Sequence, residues 1–151
     1  MTPNNQIVPL HENENNKQNT AVHAQQRIQI ANDTVMVMGS GLLFRHANPG
    51  GYMWNDQGDR EFEVFIPFET TLERKPLVQV NLSGVDASHA QNLRLTLAVK
   101  STSLEGFVVG AKTWGDTKIA SVDISWMAMA QSVVSRVAEL VPLHFEQETD
   151  D

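Results

Sequence analysis

Arg94, Trp114 and Asp116 are side chains whose types complement one another chemically. A guanidinium is a planar fork of donors suited to adjacent hydroxyl or carbonyl oxygens, a carboxylate accepts from hydroxyls, and an indole face covers the apolar C–H patch of a pyranose ring. Together they could recognise a polyol through hydrogen bonds and stacking, with no covalent step. Each also has a plainer reading: Arg94 as a solvated or salt-bridged strand residue, Trp114 as a packing residue at a strand end, and Asp116 as a turn former. Asp56, Gln57 and Asp59 make a second polar cluster, for which turn chemistry is the ordinary reading.

Other chemistries find less support. The five histidines, His11, His23, His46, His89 and His144, are scattered, with no i,i+4 pair and no carboxylate at ligand spacing, so no metal is expected. There is no cysteine, which removes disulfides, thiolate metal sites and cysteine nucleophiles together. Gly39-Ser40-Gly41 is an isolated GxG without phosphate-loop context and reads as a turn. Glu61 and Glu63 fall on the outer face of a strand, and nothing sets their environments apart as a glycosidase pair requires. The expectation is a non-enzymatic protein without a cofactor. The formal net charge of −7 gives no electrostatic footing for nucleic acid or an anionic membrane.

Positioning these residues falls to the surrounding elements, and the 151 residues suffice for one domain with a real core. Residues 1–27 are polar, with no aromatic and few aliphatic side chains, so they form an arm that cannot offset its own ordering entropy by burial. The arm shows no signal-peptide pattern, and no run approaches the roughly 20 apolar residues of a membrane span. Residues 28–60 read as linking strands, interrupted at Gly39-Ser40-Gly41, followed by a surface loop from residue 45 to residue 59. Period-two alternation then begins: Phe62, Val64 and Ile66 face one way, and Val78, Val80 and Leu82 form the next inward set, ending in a turn at residues 83–86. Leu93, Leu95, Leu97 and Val99 alternate with Arg94 and Lys100, which places Arg94 at a strand start on the face opposite the core. Phe107 to Trp114 makes another strand, Gly115-Asp116 a tight bend, and Val122, Ile124 and Trp126 point inward from the last one. Residues 61–130 are thus an antiparallel β-sandwich of short strands. In residues 131–151, Val133, Val137, Leu140 and Val141 recur at helical spacing and imply a short amphipathic helix followed by an acidic tail; its apolar stripe would pack on its own subunit or meet its copies around an axis.

The ordered strings QNLRLTLAV (residues 91–99), EGF (105–107) and TWGDTKIASVDISW (113–126), with the strand ending in Ile66-Pro67-Phe68 and the loop ending in Pro76, resemble the H-type lectins, the family of snail agglutinins and of the discoidin C-terminal domain. The likeness spans roughly 70 residues. It implies an all-β, six-stranded antiparallel sandwich, here with an extended N-terminal arm and a short C-terminal helix, that assembles as a homotrimer with carbohydrate sites at one end. In sugar-binding members the Arg of the NLR segment and the residues after the TW pair contact the sugar, helped by an Asp from the preceding N-terminal loop. Arg94 and Trp114 match that pattern. Gly115 stands where histidine is common, Ala120 where an aromatic is common, and Gln57, flanked by Asp56 and Asp59, is the gapless match to the loop Asp.

The expected function is a carbohydrate-binding subunit of a trimeric assembly that recognises cell-surface polysaccharide. A second reading, from another class, is a structural or adaptor subunit of a phage or phage-like particle, a head spike or tail fibre, with the arm docked on another protein. On that reading the chain belongs to a virion; otherwise it is expected in the cytoplasm.

Overall fold

The computed structural model describes residues 20–47 and 50–133. Within them seven strands build two sheets: β1 (Ala24–Ala31), β2 (Thr34–Arg45), β3 (Arg60–Pro67), β4 (Leu77–Ala87), β5 (Thr96–Thr102), β6 (Gly106–Thr113) and β7 (Ile119–Gln131), with a one-turn helix α1 (Tyr52–Asn55) between β2 and β3. The sheets run β1-β2-β7-β4 and β3-β6-β5, every pairing antiparallel. Strand alternation makes the core. Val35, Val37, Val122, Ile124, Trp126 and Ala128 of the first sheet face Val64, Ile66, Phe107, Val109 and Ala111 of the second, all buried. Phe107 meets the Trp126 ring edge-on at 5.0 Å between centroids, a favourable aromatic geometry.

Several sequence expectations change. There are seven strands among the described residues rather than six, because the segment taken for arm and linker contributes β1 and β2 to the sandwich itself. The arm boundary at residue 27 falls inside β1. Gly39-Ser40-Gly41 does not break the chain: β2 runs through it for 12 residues. A Cβ on Gly39 would collide with the Trp126 indole, and one on Gly41 with the His23 ring, so these glycines are present for close approach. The turn expected at residues 83–86 is a register shift between Leu82 and Gly84 within a continuous β4, and Leu82, expected inward, is exposed at this edge strand. β5 begins at Thr96, so Leu93 is exposed and Arg94 lies in the preceding loop. The loop of residues 45–59 is not all surface, since Met53 is fully buried. The amphipathic helix, the acidic tail and residues 1–19 lie outside the described residues.

The start of the fold is tied by one buried histidine. Trp126 Nε1 donates to His23 Nδ1 at 3.0 Å, and His23 Nε2 donates to the Leu42 carbonyl at 3.0 Å. An indole N–H can only donate, so the proton of this imidazole sits on Nε2. Gln25 adds a link to the second sheet: its amide donates to the Pro67 carbonyl at 2.6 Å, and its oxygen accepts from Glu69 N at 3.1 Å.

Gly39→Ala is expected to destabilise the domain by about 1–3 kcal/mol through overpacking against Trp126. The neighbouring exposed Ser40→Ala should stay within about 0.5 kcal/mol of the parent. Urea denaturation midpoints of the two variants separate this from a turn at 39–41, for which both changes would be mild.

Candidate functional site

β3, β5 and β7 begin, and β2, β4 and β6 end, at the same end of the sandwich, as the pairings of Arg60 with Thr113, Thr96 with Lys112 and Arg45 with Ser121 require. Three loops therefore meet there: residues 88–95 before β5, the β6–β7 bend at residues 114–118, and residues 50–59 carrying α1.

Arg94 and Asp116 are brought together, with Nη1 donating to Asp116 Oδ1 at 2.7 Å and both side chains partly exposed. Nη1 also donates to Thr117 Oγ1 at 3.1 Å and to the Asn92 carbonyl at 3.4 Å. Thr117 is 1 % exposed, and its hydroxyl donates to the Asn92 carbonyl at 2.6 Å, which fixes the direction of the oxygen that Arg94 meets. Thr113 Oγ1 donates to the Arg94 carbonyl at 2.5 Å, holding the loop backbone against the end of β6. Arg94 is half-buried here rather than displayed on an outer strand face.

The bend that supplies Asp116 depends on Gly115, whose φ of +65° lies in the left-handed region. A Cβ there would also sit 3.2 Å from Arg94 Nη1. The glycine that departs from the family pattern therefore fits this bend conformation and the lie of Arg94. Trp114, next to it, is 39 % exposed, so its indole is not consumed by the core. Ala120 is buried, and its carbonyl accepts from His46 N at 2.6 Å.

Asp56, Gln57 and Asp59 are exposed in the adjoining loop. Gly58 N donates to the Gly115 carbonyl at 2.8 Å, which joins that loop to the bend. Asp56 N closes α1 on the Tyr52 carbonyl, and Asp59 lies 3.7 Å from Lys112 Nζ. The expected residues thus fall on one rim, with Arg94 and Asp116 in contact and Gln57 contributed by the neighbouring loop.

Sequence reasoning misses Arg60. It is 7 % exposed, at the first position of β3. Its Nη1 donates to the carbonyls of Asp56 at 2.6 Å, Met53 at 3.3 Å and Tyr52 at 3.4 Å; Nε donates to Gly58 at 3.0 Å; Nη2 donates to Thr117 at 2.8 Å and Gly115 at 3.3 Å. The signal was present in the alternation, because Arg60 shares the inward parity of Phe62, Val64 and Ile66. Behind the loop, the half-buried His46 packs between Phe44, Phe62 and Tyr52 and accepts from Met53 N through Nδ1. Burial holds its pKa below the ordinary histidine value. No group of three or more histidine, aspartate or glutamate side chains able to hold a metal ion occurs among the described residues.

The hydrogen bond from Arg94 holds the Asp116 carboxyl below its ordinary value, with the charge of Arg94 adding to it and desolvation opposing. For a depressed carboxylate, the contribution to stability is present above the unfolded-state pKa and is lost as pH falls through the folded one. Asp116 should therefore titrate, by NMR of its side-chain carboxyl, below the ordinary aspartate value, and Arg94→Ala should raise its pKa.

Residues 63–129 match the H-type lectin domain. A protein of Fuscovulum blasticum described as ATP synthase subunits region ORF 7 is 38% identical over 91 residues, covering 60% of this chain and 79% of its own length. Structures of recombinant and wild-type discoidin II from Dictyostelium discoideum share the fold, with TM-scores of 0.56 and 0.57 over 70% of this chain at 16% identity. This chain spans 40% of discoidin II. The matched domain is joined by an all-β antiparallel fold shared with discoidin II, and the chain belongs to the H-type lectin family.

Proposed function

We propose that this chain is a non-enzymatic carbohydrate-binding subunit that works as a homotrimer and recognises cell-surface polysaccharide through the rim around Arg94. The observation that carries the reading is how Arg94 is held. All its side-chain hydrogen bonds among the described residues run through Nη1, leaving Nε and Nη2 as an open donor edge. Adjacent sugar hydroxyl or ring oxygens suit that edge, the ionised Asp116 accepts from hydroxyls, and the exposed Trp114 offers a stacking face. Gln57, Asp56 and Asp59 supply polar side chains from the next loop, and Gly115 leaves room where a side chain would crowd Arg94.

Support for an oligomer comes from the outer face of the β1-β2-β7-β4 sheet. Three rows cross it in register: Ile28, Met36, Met129 and Leu77; Gln26, Met38, Met127 and Gln79; Ala24, Ser40, Ser125 and Asn81. None of these twelve positions is charged, and Leu77 is 81 % exposed. The face holds a concavity of about 590 Å³ between Met38, Met127, Gln26 and Asn81. Copies each carrying −7 repel, so a contact between them is favoured where the face is neutral and apolar.

The adaptor reading is favoured by one observation. β7 ends away from the rim, and Thr20 bridges Phe65, in the half of β3 away from Arg60. Both ends of the described segment thus lie away from the rim, as suits a spike or fibre subunit of a phage-like particle anchored by residues 1–19.

A glycan array probed with the intact protein and with Arg94→Ala tests the site. Arg94→Ala should weaken binding by roughly ten- to a hundredfold, the loss expected for charge-assisted hydrogen bonds. Absence of binding by the parent to any glycan, or an unchanged Arg94→Ala, defeats the lectin reading. Native mass measurement tests the assembly: a trimeric parent that dissociates on Met38→Glu is expected, and a monomeric parent refutes it.

A further inference from the structure

Arg60 is too buried to touch a sugar, yet the rim of the site is hung on it. Its guanidinium spans two segments far apart in sequence, residues 52–58 on one side and residues 115–117 on the other. The five N–H donors of one planar group meet six carbonyl oxygens, so Nη1 is shared among three of them. Among the described residues the other direct hydrogen bond between these segments is Gly58 N to the Gly115 carbonyl. No carboxylate pairs with Arg60 among the described residues, which leaves carbonyl oxygens to compensate its charge.

We propose that Arg60 is the positioning residue of the carbohydrate site: it couples the α1–β3 loop to the β6–β7 bend and, through Thr117, sets the direction of Arg94. The inference rests on reading the rim as a carbohydrate site. Arg60 Nη2 holds the Thr117 carbonyl at 2.8 Å, and the hydroxyl of the same residue accepts from Arg94 Nη1 at 3.1 Å. A shift of Thr117 is thereby a shift of the donor edge of Arg94. On the other side, Nη1 and Nε hold the carbonyls of Asp56 and Gly58, which flank Gln57. The planar fork matters as well as the charge: an ammonium group carries three donors and cannot reach both segments with the same geometry.

The test compares Arg60→Met and Arg60→Lys with the parent in three measurements: affinity per folded molecule for the best glycan of the array, urea denaturation, and amide hydrogen exchange. Affinity of the folded fraction should fall roughly tenfold or more in Arg60→Met, the size of loss that follows removal of an outer support, with partial recovery in Arg60→Lys. Exchange at Gly58 should quicken while core amides such as Val109 keep their parent rates. A lower denaturation midpoint with unchanged affinity of the folded fraction would mean that Arg60 serves stability alone, and it overturns the proposal. Where Arg60→Met does not fold, Arg60→Lys carries the same comparison. Should the parent bind no glycan, the lectin reading falls by itself; the coupling of the two loops is then judged by exchange, and an unchanged Gly58 rate in Arg60→Lys refutes it.

Discussion

A buried guanidinium with carbonyl oxygens as its partners imposes a demand on everything near it. Removing a cation from water costs several kcal/mol even after relaxation, and the cost is offset only if its donors are satisfied with good geometry. Arg60 meets that demand with backbone oxygens from both sides of the loop end. The loops are therefore not free to take conformations that suit only their own sequences. They must curl so that their carbonyls converge on one point, which turns their side chains outward. A rim built this way is organised before any ligand arrives, which lowers the ordering cost of binding.

The opposite half of the sandwich follows the same logic with a neutral group. The Trp126 indole fills the space between the sheets and brings a buried N–H that needs an acceptor. His23 supplies it through Nδ1 and donates its own Nε2–H to the Leu42 carbonyl. Room for both rings comes from β2, where Gly39 lies under the indole and Gly41 under the imidazole. Four residues from three distant stretches of chain thus form one packing unit, and β1 is welded to the core through it. Polar composition ahead of residue 27 conceals this, because a single histidine, placed against the indole, does the anchoring.

Legibility in the sequence followed the strength of the period. β3 and β7 alternate with large apolar side chains, and the structure buries Val64 and Ile66, and Val122, Ile124 and Trp126, where the alternation puts them. The same alternation aimed Arg60 inward, but a cation at such a position has meaning only once six carbonyls from other segments are known to surround it. The glycines of β2 suggest a break, because glycine alone does not distinguish a turn from a place where a ring passes close. The register shift in β4 carried turn-forming residues for a like reason. At the rim, Arg94 and Asp116 were legible as a chemical pair, whereas Thr117 was not, since its role arises from a hydroxyl that is buried between Asn92 and Arg94. Gly115 looked like a departure from the family pattern until its φ of +65° and the closeness of Arg94 supplied a local reason for glycine.

The directions built into the fold bear on how weak recognition can become useful. An open guanidinium edge, one carboxylate and one indole at a partly exposed rim make few bonds, and exposure to water keeps each of them modest. Such a site gains most from repetition, since linked sites raise the overall strength by roughly two to four orders of magnitude when their spacing matches the target. The three uncharged rows lie on the side of the sheet, and the rim lies at the end of its strands. Copies joined side by side through that face in parallel would hold their rims at the same end, facing the same way. A repeating surface polysaccharide would present matching groups at regular intervals, so on the proposed reading the geometry of the sheet face would govern avidity and the Arg60 cluster the single site.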